Sequence, residues 1–137
     1  MTINILLIED SEFKAKRVYE TFNGIEDVEI THVGDVKSAM IELVQGSKNY
    51  DLLVLDMGLP QYSDSFYIEP RAGLDILDMM EGVDRYPKIA TIINSTTEVD
   101  ISKFEKVKIL DVWKSISNTS YDNSAKQIVE SLKKGGV

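Results

Sequence analysis

Short runs of branched aliphatic residues alternate along this chain with longer stretches of helical spacing. The runs cover residues 5–8, 52–55 and 89–93. Each is too short for a helix and typical of a strand buried on both faces. Because strands of this kind are joined by crossover helices that cover both faces of the sheet, the alternation predicts an α/β fold with a parallel sheet.

The intervening stretches place apolar residues at i, i+3, i+4 and i+7, which predicts amphipathic helices. Stripes of this kind occupy residues 15–22, 36–43, 74–83 and 125–132, and Asp35 is placed to cap the second. In residues 97–106 we expect only a short, poorly formed helix. Residues 28–33 and 107–113 lack a continuous apolar run and are predicted to be edge strands. The expected order is therefore strand then helix, repeated five times.

The composition of the chain excludes several classes of function. A chain of 137 residues with a formal charge of −8 fits one folded domain that repels nucleic acid. The absence of cysteine excludes disulfides and thiol chemistry. No apolar run approaches a membrane span and no signal peptide is evident, so we expect a cytoplasmic protein that binds neither membrane nor nucleic acid.

Reactive side chains follow the predicted strands at the edge where an open α/β sheet binds its ligands. Glu9 and Asp10 follow the first strand, Asp56 follows the third, and Ser95 and Lys114 end the fourth and fifth. The sequence therefore predicts that three carboxylates, a hydroxyl and an ammonium converge.

Clustered carboxylates call for a cation, because two like charges about 4 Å apart repel by roughly 4 kcal/mol at an effective dielectric of 20. Mg²⁺ prefers hard oxygen ligands, so we expect Asp10 and Asp56 to bind it directly and Glu9 through water. A carboxylate can attack phosphorus to form an aspartyl phosphate. Asp56 is the predicted nucleophile, with Lys114 and Ser95 binding the phosphoryl oxygens.

Two other nucleotide-binding classes are excluded by their missing motifs. The apolar run before Glu9 and Asp10 is similar to the magnesium-binding strand of P-loop ATPases, but the chain has no G-x-x-x-x-G-K-[ST] loop. A dinucleotide fold would need G-x-G-x-x-G after the first strand, where this chain has Glu-Asp-Ser-Glu-Phe.

Five motifs together resemble the response-regulator receiver family of two-component signalling. They are NILLIEDS at 4–11, DLLVLDMGLP at 51–60, GLDIL at 73–77, IINS at 92–95 and VWK at 112–114. The resemblance covers the whole chain and implies one receiver domain over residues 1–137. It further implies a flavodoxin-like three-layer sandwich, whose doubly wound, five-stranded parallel sheet has the order 2-1-3-4-5.

The resemblance also assigns roles to single residues. Asp56 corresponds to the phosphoacceptor, Ser95 to the switch hydroxyl and Lys114 to the invariant lysine. Glu9 and Asp10 correspond to the acidic pair, and the backbone carbonyl of Gly58 would complete the metal ligands. A histidine kinase or phosphotransfer protein would supply the phosphoryl group, so the chain would not be an enzyme beyond phosphorylating and dephosphorylating itself.

The sequence departs from the family at three places. Residues 61–72 form an insertion, either a surface loop folded onto its own helix or a lid or docking surface beside Asp56. Ser115 stands where the family has proline after the lysine, so we expect no cis peptide there. Asp111 replaces an aromatic switch residue, and Trp113 is predicted to be a packing residue rather than a substitute for it.

Other functions stay open at this level. The departures are compatible with a pseudo-receiver, a protein-interaction module that is not phosphorylated. A metal-dependent phosphohydrolase would need a second acid or base, which no motif supplies. Ser95 could also cap a following helix, and His32 is expected to be an ordinary strand residue. No output domain follows the last helix in this sequence, so we expect either that the signal passes to a downstream protein by contact or that the sequence is part of a longer protein. We expect a monomer or a phosphorylation-dependent dimer.

Overall fold

The computed structural model describes residues 1–45, 49–83, 89–115 and 120–135. Within these residues the chain forms five strands and four helices. The strands are β1 (Ile3–Ile8), β2 (Val28–Val33), β3 (Leu52–Leu55), β4 (Ala90–Ser95) and β5 (Ile109–Lys114). The helices are α1 (Glu12–Phe22), α2 (Val36–Gln45), α3 (Ala72–Gly82) and α4 (Asp122–Lys133).

All five strands pair in parallel in the order β2-β1-β3-β4-β5. The predicted sheet is therefore confirmed, with the two strands that lack a continuous apolar run at its edges. The order reverses next to β1, since the chain runs outward to β2 and then returns to β3. Ligands of open α/β sheets bind beside such a reversal, at the carboxyl ends of the strands.

Alternate side chains of the central strands point to opposite faces of the sheet and build two cores. On one face β1 contributes Leu6 and Ile8, which pack with residues of α2 and α3. On the other face it contributes Ile3, Ile5 and Leu7, which pack with residues of α1 and α4. The protein is thus the predicted three-layer sandwich, and burial on both faces explains why the central strands carry continuous apolar runs.

The prediction that strand and helix alternate five times is wrong in one place. No helix forms in residues 96–108, which connect β4 to β5. Asp100 accepts hydrogen bonds from the backbone and hydroxyl of Ser102 at 3.0 and 2.7 Å, a local bond pattern that competes with a helix. The β-branched residues Val99 and Ile101 also favour helix only weakly, and both pack on the core.

The side chain of Glu81, at the end of α3, supports this connection from outside. Its carboxylate accepts hydrogen bonds of 2.8 to 3.0 Å from the backbone N–H groups of Glu105, Lys106 and Val107. Val107 is buried two residues before β5 begins. One carboxylate therefore satisfies three backbone N–H groups of a connection that has no helix.

Asp35 caps α2 as predicted, since its carboxylate accepts hydrogen bonds from the backbone N–H and the hydroxyl of Ser38 at 2.9 and 2.6 Å. Among the described residues, the helices are all too short or too polar to cross a lipid bilayer.

Candidate phosphoacceptor and metal site

The three predicted carboxylates meet at the carboxyl ends of β1 and β3. Glu9 and Asp10 follow β1 directly and Asp56 follows β3, and the register pairs the last residues of these strands, Ile8 and Leu55. One carboxylate oxygen from each acidic residue lies within 4.8 Å of the other two. Glu9 and Asp56 are buried whereas Asp10 is exposed, so the cluster opens to solvent on the side of Asp10.

The cost of bringing these carboxylates together falls mainly on Glu9, which is buried. Its Oε2 accepts a hydrogen bond from the backbone N–H of Ser11 at 3.2 Å, but its buried Oε1 has no hydrogen-bond partner in the described part of the chain. Burial raises the pKa of Glu9 to about 8, and the charge of Asp56 and a hydrogen bond to it add to the rise. A buried acid with one unpaired oxygen beside two carboxylates fits a site for a hard divalent cation.

Lys14 supplies a positive charge to this cluster that the sequence analysis missed. Its Nζ lies 3.0 Å from Oδ2 of Asp56 and 3.4 Å from Oε2 of Glu9, and its side chain is 15% exposed. Burial alone would lower the pKa of Lys14, but the hydrogen bond to Asp56 and the charges of Asp56 and Glu9 outweigh it and raise this pKa. Lys14 is therefore charged at neutral pH.

The start of α1 explains how Lys14 reaches the site. Ser11 caps this helix, and its hydroxyl accepts a hydrogen bond from the backbone N–H of Lys14 at 3.3 Å. Helical side chains lean toward the N-terminal end of their helix, so a lysine in the first turn extends over the junction of β1 and α1. A lysine in the first turn after a strand-end acidic pair is thus the signal that could have found it.

The backbone around Asp56 is fixed by α3. Oδ1 of Asp56 accepts a hydrogen bond from the N–H of Met57 at 2.8 Å, and the Met57 carbonyl accepts one from the N–H of Gly73 at 2.8 Å. A Cβ atom on Gly73 would lie only 2.4 Å from the carbonyl oxygen of Asp56. Only glycine allows α3 to approach Asp56 this closely.

A cleft of about 320 Å³ opens over Asp56. Asp10, Lys14, Gly58 and Ser95 all line it. The backbone of Gly58 is therefore at the same cleft as the acidic cluster, where its carbonyl was predicted to complete a metal site.

Ser95 ends β4 as a buried residue, and its Oγ accepts a hydrogen bond from the backbone N–H of Thr97 at 3.2 Å. The alternative role as the cap of a following helix is excluded, because no helix follows. The hydroxyl instead anchors the first turn of the connection between β4 and β5.

Lys114 has the predicted position at the end of the fifth strand, but it is not among the described residues that line the cleft over Asp56. It ends β5 as an exposed residue, opposite Ser95 in the register. Among the described residues its ammonium forms no ion pair. Lys114 lines a second depression, between α1 and the start of α4, whereas Lys14 lines both that depression and the cleft over Asp56.

The residues around Lys114 are tied to α4. Trp113 is buried and stacks on Tyr121 with ring centroids 5.0 Å apart, as expected of a packing residue. Asp111 accepts hydrogen bonds from the indole N–H of Trp113 at 3.0 Å and from the hydroxyl of Ser124 at 2.6 Å. Asp111 is therefore held in a hydrogen-bond network. The described residues contain no cis peptide bond, Ser115 included.

The segment predicted to be an insertion, residues 61–72, is an irregular loop up to the start of α3 at Ala72. Backbone hydrogen bonds between Leu59 and Glu69, of 3.2 and 2.9 Å, close its base. Phe66 and Tyr67 at its tip are exposed, so they do not fold onto the neighbouring helix. Ile68 lines the cleft over Asp56, which places one side of the loop at the rim of the candidate site.

His32 lies on β2, where its Nε2 is 2.7 Å from the carbonyl oxygen of Glu9. It is a strand residue, as expected, and contributes no side chain to the acidic cluster among the described residues.

Solved structures similar to this one include response regulators. The phosphorylated cyanobacterial phytochrome response regulator RcpA is 21% identical, with a TM-score of 0.75 over 100% of this chain and 98% of its own. The Mn²⁺-bound form of response regulator Rcp1 is 22% identical, with a TM-score of 0.72 over 98% and 96% of the two chains. A two-component response regulator from Legionella pneumophila is 18% identical, with a TM-score of 0.69 over 97% and 99%.

The chain has the receiver-domain fold. Likeness at this level of identity establishes the architecture and leaves the roles of individual side chains to be argued from the site. No protein-family model matches the sequence, and no curated protein matches it. The resemblance inferred from the five motifs is thus confirmed in the receiver-domain fold along nearly the whole chain.

Proposed function

We propose that this chain is a phosphoryl-accepting signalling switch in which Asp56 receives a phosphoryl group. The observation that carries the proposal is the meeting of Glu9, Asp10 and Asp56 at the carboxyl ends of neighbouring parallel strands, on a receiver-domain fold. Residues 1–137 would form a single receiver domain, with residues 61–72 as an insertion.

Asp56 would act as the nucleophile. One of its carboxylate oxygens forms a bond to phosphorus while the bond from phosphorus to a donor imidazole nitrogen breaks. The electron pair of the broken bond stays on the imidazole, which takes up a proton. The hydrogen bond from the Met57 N–H to Oδ1 keeps the carboxylate oriented during the attack.

Mg²⁺ is the proposed cofactor, held by Glu9, Asp10, Asp56 and the Gly58 carbonyl. The fit rests on the unpaired, buried Oε1 of Glu9 and on an all-oxygen donor set that reaches solvent through Asp10. When bound, the ion would neutralise charge on the phosphoryl oxygens. A related fold binds Mn²⁺ in Rcp1, which supports a divalent ion of this kind.

Ser95 would donate a hydrogen bond from its hydroxyl to a phosphoryl oxygen, which requires it to turn away from Thr97. By the family pattern the lysine that binds the phosphoryl group is Lys114, although the contact of Lys14 with Asp56 favours Lys14. Because Ser95 anchors the segment between β4 and β5, its movement would change the surface formed by the described residues from 96 onward.

The donor would be a histidine kinase or a phosphotransfer protein, and a downstream protein would bind the altered surface. We propose a cytoplasmic protein that contacts neither nucleic acid nor membrane directly, as a monomer or a phosphorylation-dependent dimer. Its only chemistry would be to accept the phosphoryl group and later lose it to water.

The first test is incubation of wild-type protein and Asp56→Asn with Mg²⁺ and acetyl phosphate, followed by intact mass measurement. We expect one added phosphoryl group in wild type and none in Asp56→Asn. The matched control is Asp10→Asn, which should retain the nucleophile but need much more Mg²⁺ for the same labelling. Equal labelling of wild type and Asp56→Asn would exclude Asp56 as the acceptor.

One observation favours the second candidate, a pseudo-receiver that binds a partner without being phosphorylated. Lys14 already pairs with Asp56 at 3.0 Å, so the acidic cluster has a counter-ion of its own. Wild-type protein that gains no mass from acetyl phosphate, and does not bind beryllofluoride with Mg²⁺, would support this alternative.

A further inference from the structure

We propose that Lys14, from the first turn of α1, is the lysine that binds the phosphoryl group in this protein, and that before transfer it competes with Mg²⁺ for the acidic cluster. This inference rests on the proposed function. It transfers to Lys14 the role that the family pattern gives to Lys114.

The position of Lys14 supports the first half of the proposal. Its Nζ is 3.0 Å from Oδ2 of Asp56, the group that would bond to phosphorus. When an oxygen of Asp56 bonds to phosphorus and the donor leaves with the electron pair, negative charge moves from the carboxylate to the phosphoryl oxygens beside it. The flexible four-carbon stem of lysine lets the ammonium follow that charge without moving α1.

Lys114 is poorly placed for the same task. It is exposed at the end of β5, and it lines the depression between α1 and α4 rather than the cleft over Asp56. Its backbone N–H donates to the hydroxyl of Tyr121 at 2.8 Å, which holds the end of β5 against the start of α4. Lys14 lies on the wall that the depression and the cleft share.

The second half of the proposal follows from the oxygens that Lys14 occupies. It contacts Oδ2 of Asp56 and Oε2 of Glu9, two of the three carboxylates that would hold Mg²⁺. A divalent ion among the same carboxylates repels the ammonium, so Mg²⁺ must displace Lys14 or bind more weakly beside it. After transfer, the negative charge of the phosphoryl group allows Mg²⁺ and the Lys14 ammonium to bind at the same time.

Removing the ammonium should therefore affect two ligands in opposite directions. We expect Lys14→Met to bind Mg²⁺ about tenfold more tightly than wild type, because the competing charge is gone. The same variant should bind beryllofluoride, in saturating Mg²⁺, roughly a hundredfold more weakly, because a charge-assisted bond to the phosphoryl mimic is lost. A lysine with a purely structural role would not produce this opposition.

The experiment measures Mg²⁺ affinity by calorimetry, beryllofluoride affinity in saturating Mg²⁺, and labelling by acetyl phosphate through intact mass. The variants are Lys14→Met, Lys14→Arg as the conservative rescue, and Lys114→Met as the matched lysine. We expect Lys14→Arg to recover most of the beryllofluoride binding and Lys114→Met to stay within about threefold of wild type for both ligands.

Two results would overturn the proposal. One is loss of beryllofluoride binding in Lys114→Met with normal binding in Lys14→Met. The other is a Lys14→Met variant that is folded by circular dichroism yet weakened for both ligands alike. Wild-type protein that binds no beryllofluoride and gains no mass also overturns the proposed function, and this failure is seen before any lysine variant is compared.

Discussion

The connection from β4 to β5 begins at the edge of the sheet where β1 and β3 end, but the two regions are built in different ways. At the first region the pairing of Ile8 with Leu55 fixes where the next residues lie, so the carboxylates of Glu9 and Asp56 converge. The second region has no helix of its own, and Glu81 satisfies three of its backbone N–H groups.

The difference shows which parts of a receiver-domain fold are set by the sheet and which by marginal local preferences. Strand pairing is fixed by burial on both faces, since a shift by one residue would turn an entire apolar set toward the wrong core. A short helix outside the sheet is stabilised only by propensity, caps and packing. Replacement of such a helix leaves the strand ends, and the acidic cluster, in place.

The largest effect is expected from Gly73→Ala, which attacks the first region. A Cβ atom there would lie 2.4 Å from the carbonyl oxygen of Asp56 and 2.7 Å from Cα of Met57. Backbone must move, so we expect a loss of about 1 to 3 kcal/mol in the free energy of unfolding in urea. Beryllofluoride affinity should fall as well, because the displaced backbone carries Asp56.

The matched control for this prediction is Gly82→Ala in the last turn of the same helix. A Cβ atom at Gly82 meets nothing within 4 Å, so the substitution should be neutral or stabilise α3 by up to about 1 kcal/mol. Equal stability of the two variants would show that α3 can retreat from Asp56 at no cost.

Glu81→Gln attacks the second region and should act locally. The amide has one acceptor oxygen in place of two and no charge, so the N–H groups of Glu105, Lys106 and Val107 lose part of their partner. We expect hydrogen exchange to accelerate at these amides, while the amides of β1 and β3 keep their protection. Asp78→Asn is the control, since the Asp78–Lys103 ion pair is exposed and contributes little. Uniform loss of protection across the sheet would contradict a local role.

The smallest expected effect is a pH dependence of the same contact. Desolvation alone would raise the pKa of Glu81, but hydrogen bonds from the N–H groups of Val107, Lys106 and Glu105 outweigh it and hold the pKa below the ordinary 4.5. An unfolded Glu81 takes up its proton first as the pH falls. The stabilisation is therefore complete above pH 4.5 and is lost as the pH falls through the depressed pKa.

Exchange protection of the Val107 amide, corrected for intrinsic rates, should accordingly stay constant above about pH 4.5 and decline as the pH falls below it. In Glu81→Gln this decline should be absent. A decline of the same size in the variant would assign the pH dependence to another group.

Much of the fold follows from the sequence because periodicity reports burial directly. The central strands, the helical stripes and the edge positions of β2 and β5 are all confirmed. Convergence of the acidic residues could be predicted as well, since they follow strands whose carboxyl ends share one edge of a parallel sheet.

The remaining features depend on geometry that no spacing rule contains. Lys14 was missed because its importance comes from the direction of a helical side chain over the strand ends, and Lys114 drew attention through its place in a motif. The helix predicted over residues 97–106 does not form, and the sequence could not show this because Glu81, which accepts hydrogen bonds from backbone N–H groups of the segment, is distant along the chain. The exposure of Phe66 and Tyr67 depends on how the inserted loop closes on itself.

The two backbone hydrogen bonds between Leu59 and Glu69 make the position of Asp56 independent of the length and sequence of the loop that they close. Because these hydrogen bonds already join the two segments at the base of the loop, the loop beyond them can be lengthened, shortened or replaced with little strain transmitted to Asp56. A foreign recognition peptide grafted between Tyr62 and Tyr67 is therefore expected to leave Asp56 in place.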